Sequence, residues 1–238
     1  MAVMLFTKFY KHVKNLDNIF IVIPTYNEEN RISLVISELC DLGFKNIVAV
    51  NDASTDDTRI RIEEFETVTI LDHLINLGPG GATQTGIEYS VNQHAEYIVT
   101  IDGDNQHDPK DITGLIQKIQ DEDLDMVIGS RFLGYNEIPK IRRIYNRIAN
   151  VFNYMLTGVF VSDSQSGLKI IKGSLAEQLA LESNGFEFCM EIIKSAQKKK
   201  AKIGEIPITV TYTRDTMNKG QSLSTGISMI TRLFSPFS

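Results

Sequence analysis

Two aspartates separated by one glycine, Asp102 and Asp104, have the residue type and spacing for metal chemistry. They follow residues 99–101, a β-branched run that predicts a buried strand, so their carboxylates would lie where that strand reaches the surface. Carboxylate oxygens that share a crevice are hard ligands of the kind that Mg²⁺ and Mn²⁺ prefer, and proteins often bind these ions together with substrate phosphates. The pattern therefore predicts a divalent-metal site, provided that the surrounding loops hold a phosphate-bearing ligand.

The elements that would position this site are short apolar strands, each followed by a segment with helical spacing. Strands are predicted at residues 19–23, 46–50, 68–71, 99–101 and 125–129, and Asn27 is a candidate N-cap of the first helix. This alternation predicts an α/β fold, a mostly parallel sheet with helices on both faces. A chain of 238 residues with 42% hydrophobic residues can bury the core of one such domain.

Polar loops follow three of the predicted strands, at residues 24–29, 51–57 and 102–108. In parallel sheets the ligand crevice lies outside the carboxyl ends of the strands, so these loops should converge on one crevice. Each loop taken alone could also be an ordinary turn, because Asn, Asp and Ser are enriched in turns for local hydrogen bonding. The convergence of all three favours a binding site.

The glycine-rich turn at residues 78–81, which includes Gly81, could cradle a phosphate with backbone N–H groups at the start of a helix. It is not a dinucleotide-binding GxGxxG motif, because Thr83 stands where the third glycine would be. A tight turn required by the path of the chain explains the same glycines equally well.

A basic amphipathic helix is predicted at residues 139–156. Apolar residues recur at helical spacing, while Lys140, Arg142, Arg143 and Arg147 are concentrated in its first turns. This composition is typical of a helix that lies on an anionic membrane surface. The alternative is a helix that packs its apolar face on the domain and leaves a basic face in solvent.

Several later residues are further candidates. Asp163 lies in a polar loop that leads into an apolar strand, and Glu187 lies beside apolar residues of a predicted helix, where it needs either the crevice or a basic partner. A late strand is predicted at residues 206–210, at an edge or bulge because of Pro207. The polar segment after it, with Arg214 and Lys219, has the composition of a loop that could close over an anion.

Composition excludes some function classes. A net charge of −6 argues against broad nucleic-acid binding, which requires a dominant basic surface. The two cysteines, Cys40 and Cys189, show no metal-binding spacing and predict packing roles in a reducing compartment. The N-terminus lacks the pattern of a signal peptide, and no apolar run approaches the length of a spanning helix.

Seven motifs in order resemble those of family 2 inverting glycosyltransferases of the GT-A fold. The branch with the strongest similarity is that of dolichyl-phosphate mannose synthase and polyprenyl-phosphate sugar transferases. The motifs are IPTYNEE, NDASTDDT, NLGPGGATQTGI, IDGDNQHDP, GSRF, DSQSGLKI and GFEF, spread over about residues 20–230. A single Asp-x-Asp is common by chance, whereas this ordered set is highly specific.

The resemblance implies roles for individual residues. The UDP- or GDP-sugar would be held at its base and ribose, its diphosphate would lie beside Mg²⁺ or Mn²⁺, and an arginine would meet the acceptor's phosphate or the diphosphate. The implied nucleotide-sugar contacts are Pro24, Tyr26, Glu28, Asp52, Gly81, Asp102, Asp104, Arg214 and Lys219; the implied metal ligands are Asp104 and Gln106, with Asp102; and the arginine is Arg131.

The resemblance leaves the acceptor open. A polyprenyl phosphate brings an anionic oxygen and needs no strong base, so Arg131 and Lys219 would only position it. A sugar hydroxyl in a glycan acceptor would need a carboxylate to take its proton, with Glu187 and Asp163 as the candidates. A non-catalytic carbohydrate- or lipid-binding module is a rival reading. A nucleotidyltransferase is another, but it would need a glycine-rich loop after the first strand, which residues 24–29 lack.

The resemblance also predicts an organisation and a location. Residues 1–238 would form a single GT-A domain with an N-terminal extension at 1–17, a nucleotide-sugar half at 19–130 and an acceptor half at 131–238. Many relatives carry a lysine where Pro79 stands, so a phosphate contact from that position is not expected.

Relatives also often continue into transmembrane helices, which are not predicted in this sequence. We therefore expect a cytoplasmic protein that is attached peripherally to the inner face of the membrane, with a homo-oligomer or a membrane partner protein as further possibilities.

Overall fold

The computed structural model describes residues 16–179, 181–185 and 187–211, and seven strands within them form one mixed sheet. The strands are β1 (Ile19–Thr25), β2 (Asn46–Asn51), β3 (Val68–Asp72), β4 (Tyr97–Thr100), β5 (Met126–Ser130), β6 (Lys169–Lys172) and β7 (Ile203–Pro207). The helices are α1 (Ile32–Asp41), α2 (Thr58–Glu63), α3 (Pro79–Asn92), α4 (Asp111–Asp121), α5 (Lys140–Thr157), α6 (Gly173–Ala176) and α7 (Phe188–Lys198). The sheet order is β3-β2-β1-β4-β6-β5-β7.

The first four strands run parallel, as the alternation of strands and helices predicts. Along β1, Ile19, Ile21 and Ile23 belong to one buried cluster, which also contains apolar residues of α1 and α4. Val22 belongs to a second cluster with residues of α3 and α7. Since successive side chains of a strand point to opposite faces, both faces of the sheet are covered, and the predicted α/β class is confirmed.

Strand β6 is the exception to the parallel arrangement. It lies between β4 and β5 and is antiparallel to both. Its first residue, Lys169, is therefore paired with the last residue of β4, Thr100. This orientation brings the loop that precedes β6 to the edge of the sheet where Asp102 emerges.

Most strand boundaries agree with the sequence prediction to within two residues, and two elements differ by more. Helix α1 begins at Ile32, and Asn27 is not its N-cap: it has a positive φ of 54° and bonds to the second polar loop instead. The last described strand covers residues 203–207 rather than 206–210. It pairs with β5 at the edge of the sheet and ends at Pro207, which has no N–H to continue the ladder. Among the helices that the structure describes, none combines the length and apolar character needed to span a bilayer.

Candidate active site

The three polar loops meet at the carboxyl ends of β1, β2 and β4, as predicted. The first two are joined by hydrogen bonds: the Asn27 N–H donates to Ser54 Oγ (3.1 Å), and the Glu28 N–H donates to Thr58 Oγ1 (2.7 Å). The third loop approaches the first so closely that a Cβ on Gly103 would lie 2.9 Å from Thr25 Cγ2. A fixed crevice therefore lies beside Asp102 and Asp104.

The two aspartates of this crevice differ in their electrostatic surroundings. Burial alone would raise the pKa of Asp102, but the hydrogen bond from His107 and the positive charges of Lys169 and Arg131 outweigh it and lower the pKa. The pKa of Asp104 is raised, first by burial and then by the negative charge of Asp102. Ionisation of Asp104 beside Asp102 is therefore unfavourable in the protein alone, and a bound cation would favour it.

The donor set fits a divalent cation that shares its coordination with a ligand. Gln106 donates hydrogen bonds to Asp104 from both its backbone N–H (3.0 Å) and its side-chain amide. To serve as a ligand, its amide would have to rotate and present Oε1. Within residues 16–211 as described, no group of three or more His, Cys, Asp or Glu side chains could hold a metal. Two carboxylates and one amide therefore suit an ion that takes its other ligands from phosphates and water.

Gly167, in the loop before β6, and Lys169, the first residue of β6, lie close to Asp102. A Cβ on Gly167 would collide with the Asp102 carboxylate, so only glycine permits this approach. Lys169 is fully buried, and its ammonium donates to the Ser166 carbonyl while its charge acts on Asp102. Sequence reasoning missed Lys169, although a lysine followed by two isoleucines in a predicted buried strand is an unusual pattern that could have signalled it.

Arg131 is held by a fork of hydrogen bonds to Asp163. The carboxylate accepts from Arg131 Nε (2.6 Å), Nη2 (2.7 Å) and the backbone N–H (3.1 Å). Asp163 is fully buried, and the Arg131 side chain is 16% exposed. This geometry disfavours Asp163 as a general base, because both of its oxygens are committed to the arginine and shielded from the crevice. Its role is to orient the guanidinium.

Asp52 accepts structural hydrogen bonds that the sequence did not predict. Its carboxylate is 2% exposed and accepts from the backbone N–H groups of Leu77 (2.8 Å) and Gly78 (2.8 Å). His73 Nδ1 lies 2.7 Å from the same carboxylate, and His73 Nε2 lies 2.9 Å from Thr85 Oγ1. Asp52 therefore anchors the glycine-rich turn, and a contact from it to the nucleotide remains a prediction.

The glycine-rich turn packs against protein rather than forming an open cradle. The Gly80 N–H donates to the Asn184 carbonyl (2.9 Å), and a Cβ at Gly80 would collide with the Ser183 carbonyl. A Cβ at Gly81 would lie 2.8 Å from Leu77 Cβ. Close backbone approach thus explains these glycines, and the assignment of Gly81 to phosphate binding is disfavoured.

The remaining candidates lie in the first polar loop, at the start of α7 or outside the described residues. Pro24 is half-buried at the end of β1, Tyr26 is 46% exposed, and Glu28 accepts a hydrogen bond from Arg31 (3.2 Å). Glu187 stands at the start of α7, against Gly185, and remains the candidate base. Arg214 and Lys219 lie outside the described residues.

Comparison with solved structures identifies the fold. The glucosyl-3-phosphoglycerate synthase of Mycobacterium tuberculosis, in complex with Mg²⁺ and uridine diphosphate, matches with a TM-score of 0.72 and 17% identity. The match covers 93% of this chain and 81% of that chain. The fold is thus that of the GT-A glycosyltransferases.

Sequence comparison gives the family. Residues 20–179 match the glycosyl transferase family 2 domain. The chain is 33% identical to the UDP-N-acetylglucosamine–dolichyl-phosphate N-acetylglucosaminyltransferase of Methanococcus voltae, over 90% of this chain and 94% of the relative. It is 25% identical to the polyprenol monophosphomannose synthase of Mycolicibacterium smegmatis, over 84% and 79% of the two chains. The protein therefore belongs to glycosyl transferase family 2 and is a glycosyltransferase.

Proposed function

We propose that this enzyme transfers a sugar from a UDP- or GDP-sugar to a polyprenyl phosphate, with inversion at the anomeric carbon. The observation that carries the proposal is the position of Arg131. A buried carboxylate holds its guanidinium near enough to Asp102 to lower the pKa of that residue. A fixed cation beside a metal-binding pair suits two phosphates, one on the donor and one on the acceptor. Two relatives support this choice, one named for transfer to dolichyl phosphate and one named for the synthesis of polyprenol monophosphomannose.

Asp104 and Asp102, with Gln106, would hold Mg²⁺ or Mn²⁺ in this proposal. The bound ion would act as a Lewis acid that neutralises charge on the leaving diphosphate. Lys169 and His107 keep Asp102 ionised and in place, and Arg131 orients the acceptor phosphate oxygen. That oxygen is already anionic, so the chain needs no general base. A sugar hydroxyl would instead need Glu187, because Asp163 is committed to Arg131.

Helix α5 supports a membrane location for this reaction. Its apolar side chains point outward: Ile141, Ile144, Ile148, Val151 and Met155 are 43–72% exposed. Asn146 and Asn153 are buried against the domain instead. This exposure disfavours the alternative in which the helix packs its apolar face on the domain. An outward apolar stripe beside Lys140, Arg142 and Arg147 suits a helix that lies on an anionic membrane, at the cytoplasmic face in this proposal.

The proposed activity can be tested with the full chain and undecaprenyl phosphate in detergent. We expect a lipid-linked sugar product from a panel of UDP- and GDP-sugars with Mn²⁺ or Mg²⁺, and we expect EDTA to abolish it. Transfer to soluble glycans but not to the lipid would favour the hydroxyl acceptor and overturn the proposal. A chain that binds nucleotide sugar but neither transfers nor hydrolyses it would be a binding module.

Replacing both Ile144 and Ile148 by aspartate should abolish sedimentation of the protein with anionic liposomes, because the changes place charges on the outward apolar stripe. The matched control is Ile60→Asp on α2, a similarly exposed isoleucine at 57%, which should leave sedimentation unchanged. Undiminished sedimentation of the double variant would contradict membrane docking through α5.

A further inference from the structure

The face that α5 turns toward the domain is built from asparagines. Asn146 Nδ2 (3.0 Å) and Asn150 Nδ2 (2.7 Å) both donate to the Ser162 carbonyl, and Asn150 Oδ1 accepts from the Ser164 N–H (3.0 Å). Asn153 Nδ2 donates to the Val159 carbonyl (3.1 Å). Side-chain amides of the helix therefore form hydrogen bonds with the backbone of the loop before β6.

Asn150 has a special place among these asparagines. Its amide bonds to the residues on either side of Asp163, since it donates to Ser162 and accepts from Ser164. Glu205 holds the same segment from another direction, because its carboxylate accepts from the Ser162 N–H (2.9 and 3.0 Å) and from Ser162 Oγ (2.8 Å). The backbone that carries Asp163 is thus clamped between α5 and β7.

The asparagines of this face satisfy backbone groups of the loop before β6. Each such hydrogen bond adds only about 0.5–1.5 kcal/mol of net stability. Amides instead fix the position of a backbone segment, because each bond sets both a distance and a direction. Here the fixed segment carries the carboxylate that orients Arg131.

We propose that Asn150 is a positioning residue for the acceptor phosphate. It acts through Asp163 on Arg131, and it ties the helix with the outward apolar stripe to the arginine that receives the lipid's phosphate. This inference rests on the proposed function. Its consequence is that the position of Arg131 depends on α5, so the helix that docks on the membrane also sets the acceptor site.

The test compares two asparagines of the same face. In Asn150→Leu, we expect the KM for undecaprenyl phosphate to rise about tenfold, because lost hydrogen bonds of this kind are worth roughly one such step. The KM for the donor should change less than about twofold. Asn153→Leu removes a fully buried amide from the same helix but not from beside Asp163, so it should leave the acceptor KM unchanged. Asn150→Asp keeps an acceptor for the Ser164 N–H but sets a carboxylate oxygen against the Ser162 carbonyl, so it should raise the acceptor KM at least as much.

A double-mutant cycle separates positioning from a general loss of stability. Asn150 is proposed to act through the paired hydrogen bonds from the Arg131 guanidinium to Asp163. Arg131→Lys already removes this paired geometry, so adding Asn150→Leu to it should raise the acceptor KM no further. Equal increases in donor and acceptor KM, or a full additional effect in the Arg131→Lys background, would overturn the inference.

A second measurement does not depend on the acceptor. In protein with isotope-labelled arginine, the Arg131 Nε–H should give a slowly exchanging NMR signal, identified by its loss in Arg131→Lys. We expect the signal to exchange faster or shift in Asn150→Leu and to persist in Asn153→Leu. An unchanged signal in Asn150→Leu would refute the inference, whereas failure of the wild type to use any lipid phosphate would refute only the proposed function.

Discussion

Asp104→Ala should reduce sugar transfer by at least about 10³-fold, because it removes a charge that the leaving diphosphate and its cation both require. The fold should survive. The pKa of Asp104 is raised, because burial and the charge of Asp102 make its ionised form less favourable in the folded protein than in the unfolded one, so stability falls as pH rises through that pKa. Near pH 7, without added metal, the variant should therefore melt at the same temperature or higher.

The matched control for this variant is Asp108→Ala. Asp108 lies in the same loop, but its carboxylate accepts from the Lys110 N–H (3.0 Å) rather than facing the aspartate pair. Thermal melting and transfer assays on both variants, with and without Mn²⁺, distinguish the outcomes. Turnover near the wild-type level in Asp104→Ala would remove this residue from the metal site.

Arg131→Met should cost about 3–5 kcal/mol of unfolding free energy, because it leaves the fully buried Asp163 carboxylate without its partner. It should also abolish transfer to the lipid phosphate. Denaturant unfolding and the transfer assay report the two effects separately. A small loss of stability would show that the pair contributes less than its burial suggests.

The double variant Arg131→Met with Asp163→Leu separates stability from function. Replacing both members of a buried ion pair by apolar residues is often neutral or stabilising, so most of the lost unfolding free energy should return. Transfer should not return, since the guanidinium that would orient the acceptor phosphate is missing from this variant. Recovery of activity together with stability would show that Arg131 serves the fold alone.

Local patterns in the sequence predicted the features that depend on local chemistry. The strands around residues 19–23 and 46–50, the polar loops after them and the Asp102–Asp104 pair follow from hydrophobic periodicity and turn preferences. The antiparallel insertion of β6 could not be predicted, because it depends on pairing between Thr100 and Lys169, far apart along the chain. The contacts of Lys169 with Asp102, of His73 with Asp52 and of Asp163 with Arg131 likewise join residues far apart along the chain, and the sequence did not predict them.

Helix α5 shows a different limit of prediction. Its apolar periodicity identified the helix correctly but could not say which face meets the domain. The signal that could have decided it is the recurrence of Asn146, Asn150 and Asn153 on the opposite face, at the spacing of one helical stripe. Asparagine is a poor helix former, so its repetition in one helix signals a structural role.

The strand order has a consequence for how the chain folds. Strand β5 belongs to the predicted nucleotide-sugar half and β6 to the predicted acceptor half, yet β6 lies between β4 and β5. The sheet of the nucleotide-sugar half is therefore incomplete until β6, from the acceptor half, pairs with both β4 and β5. We expect one cooperative unfolding transition by calorimetry, and fragments divided at residues 130 and 131 should not fold separately. The donor and acceptor sites would then be gained and lost together.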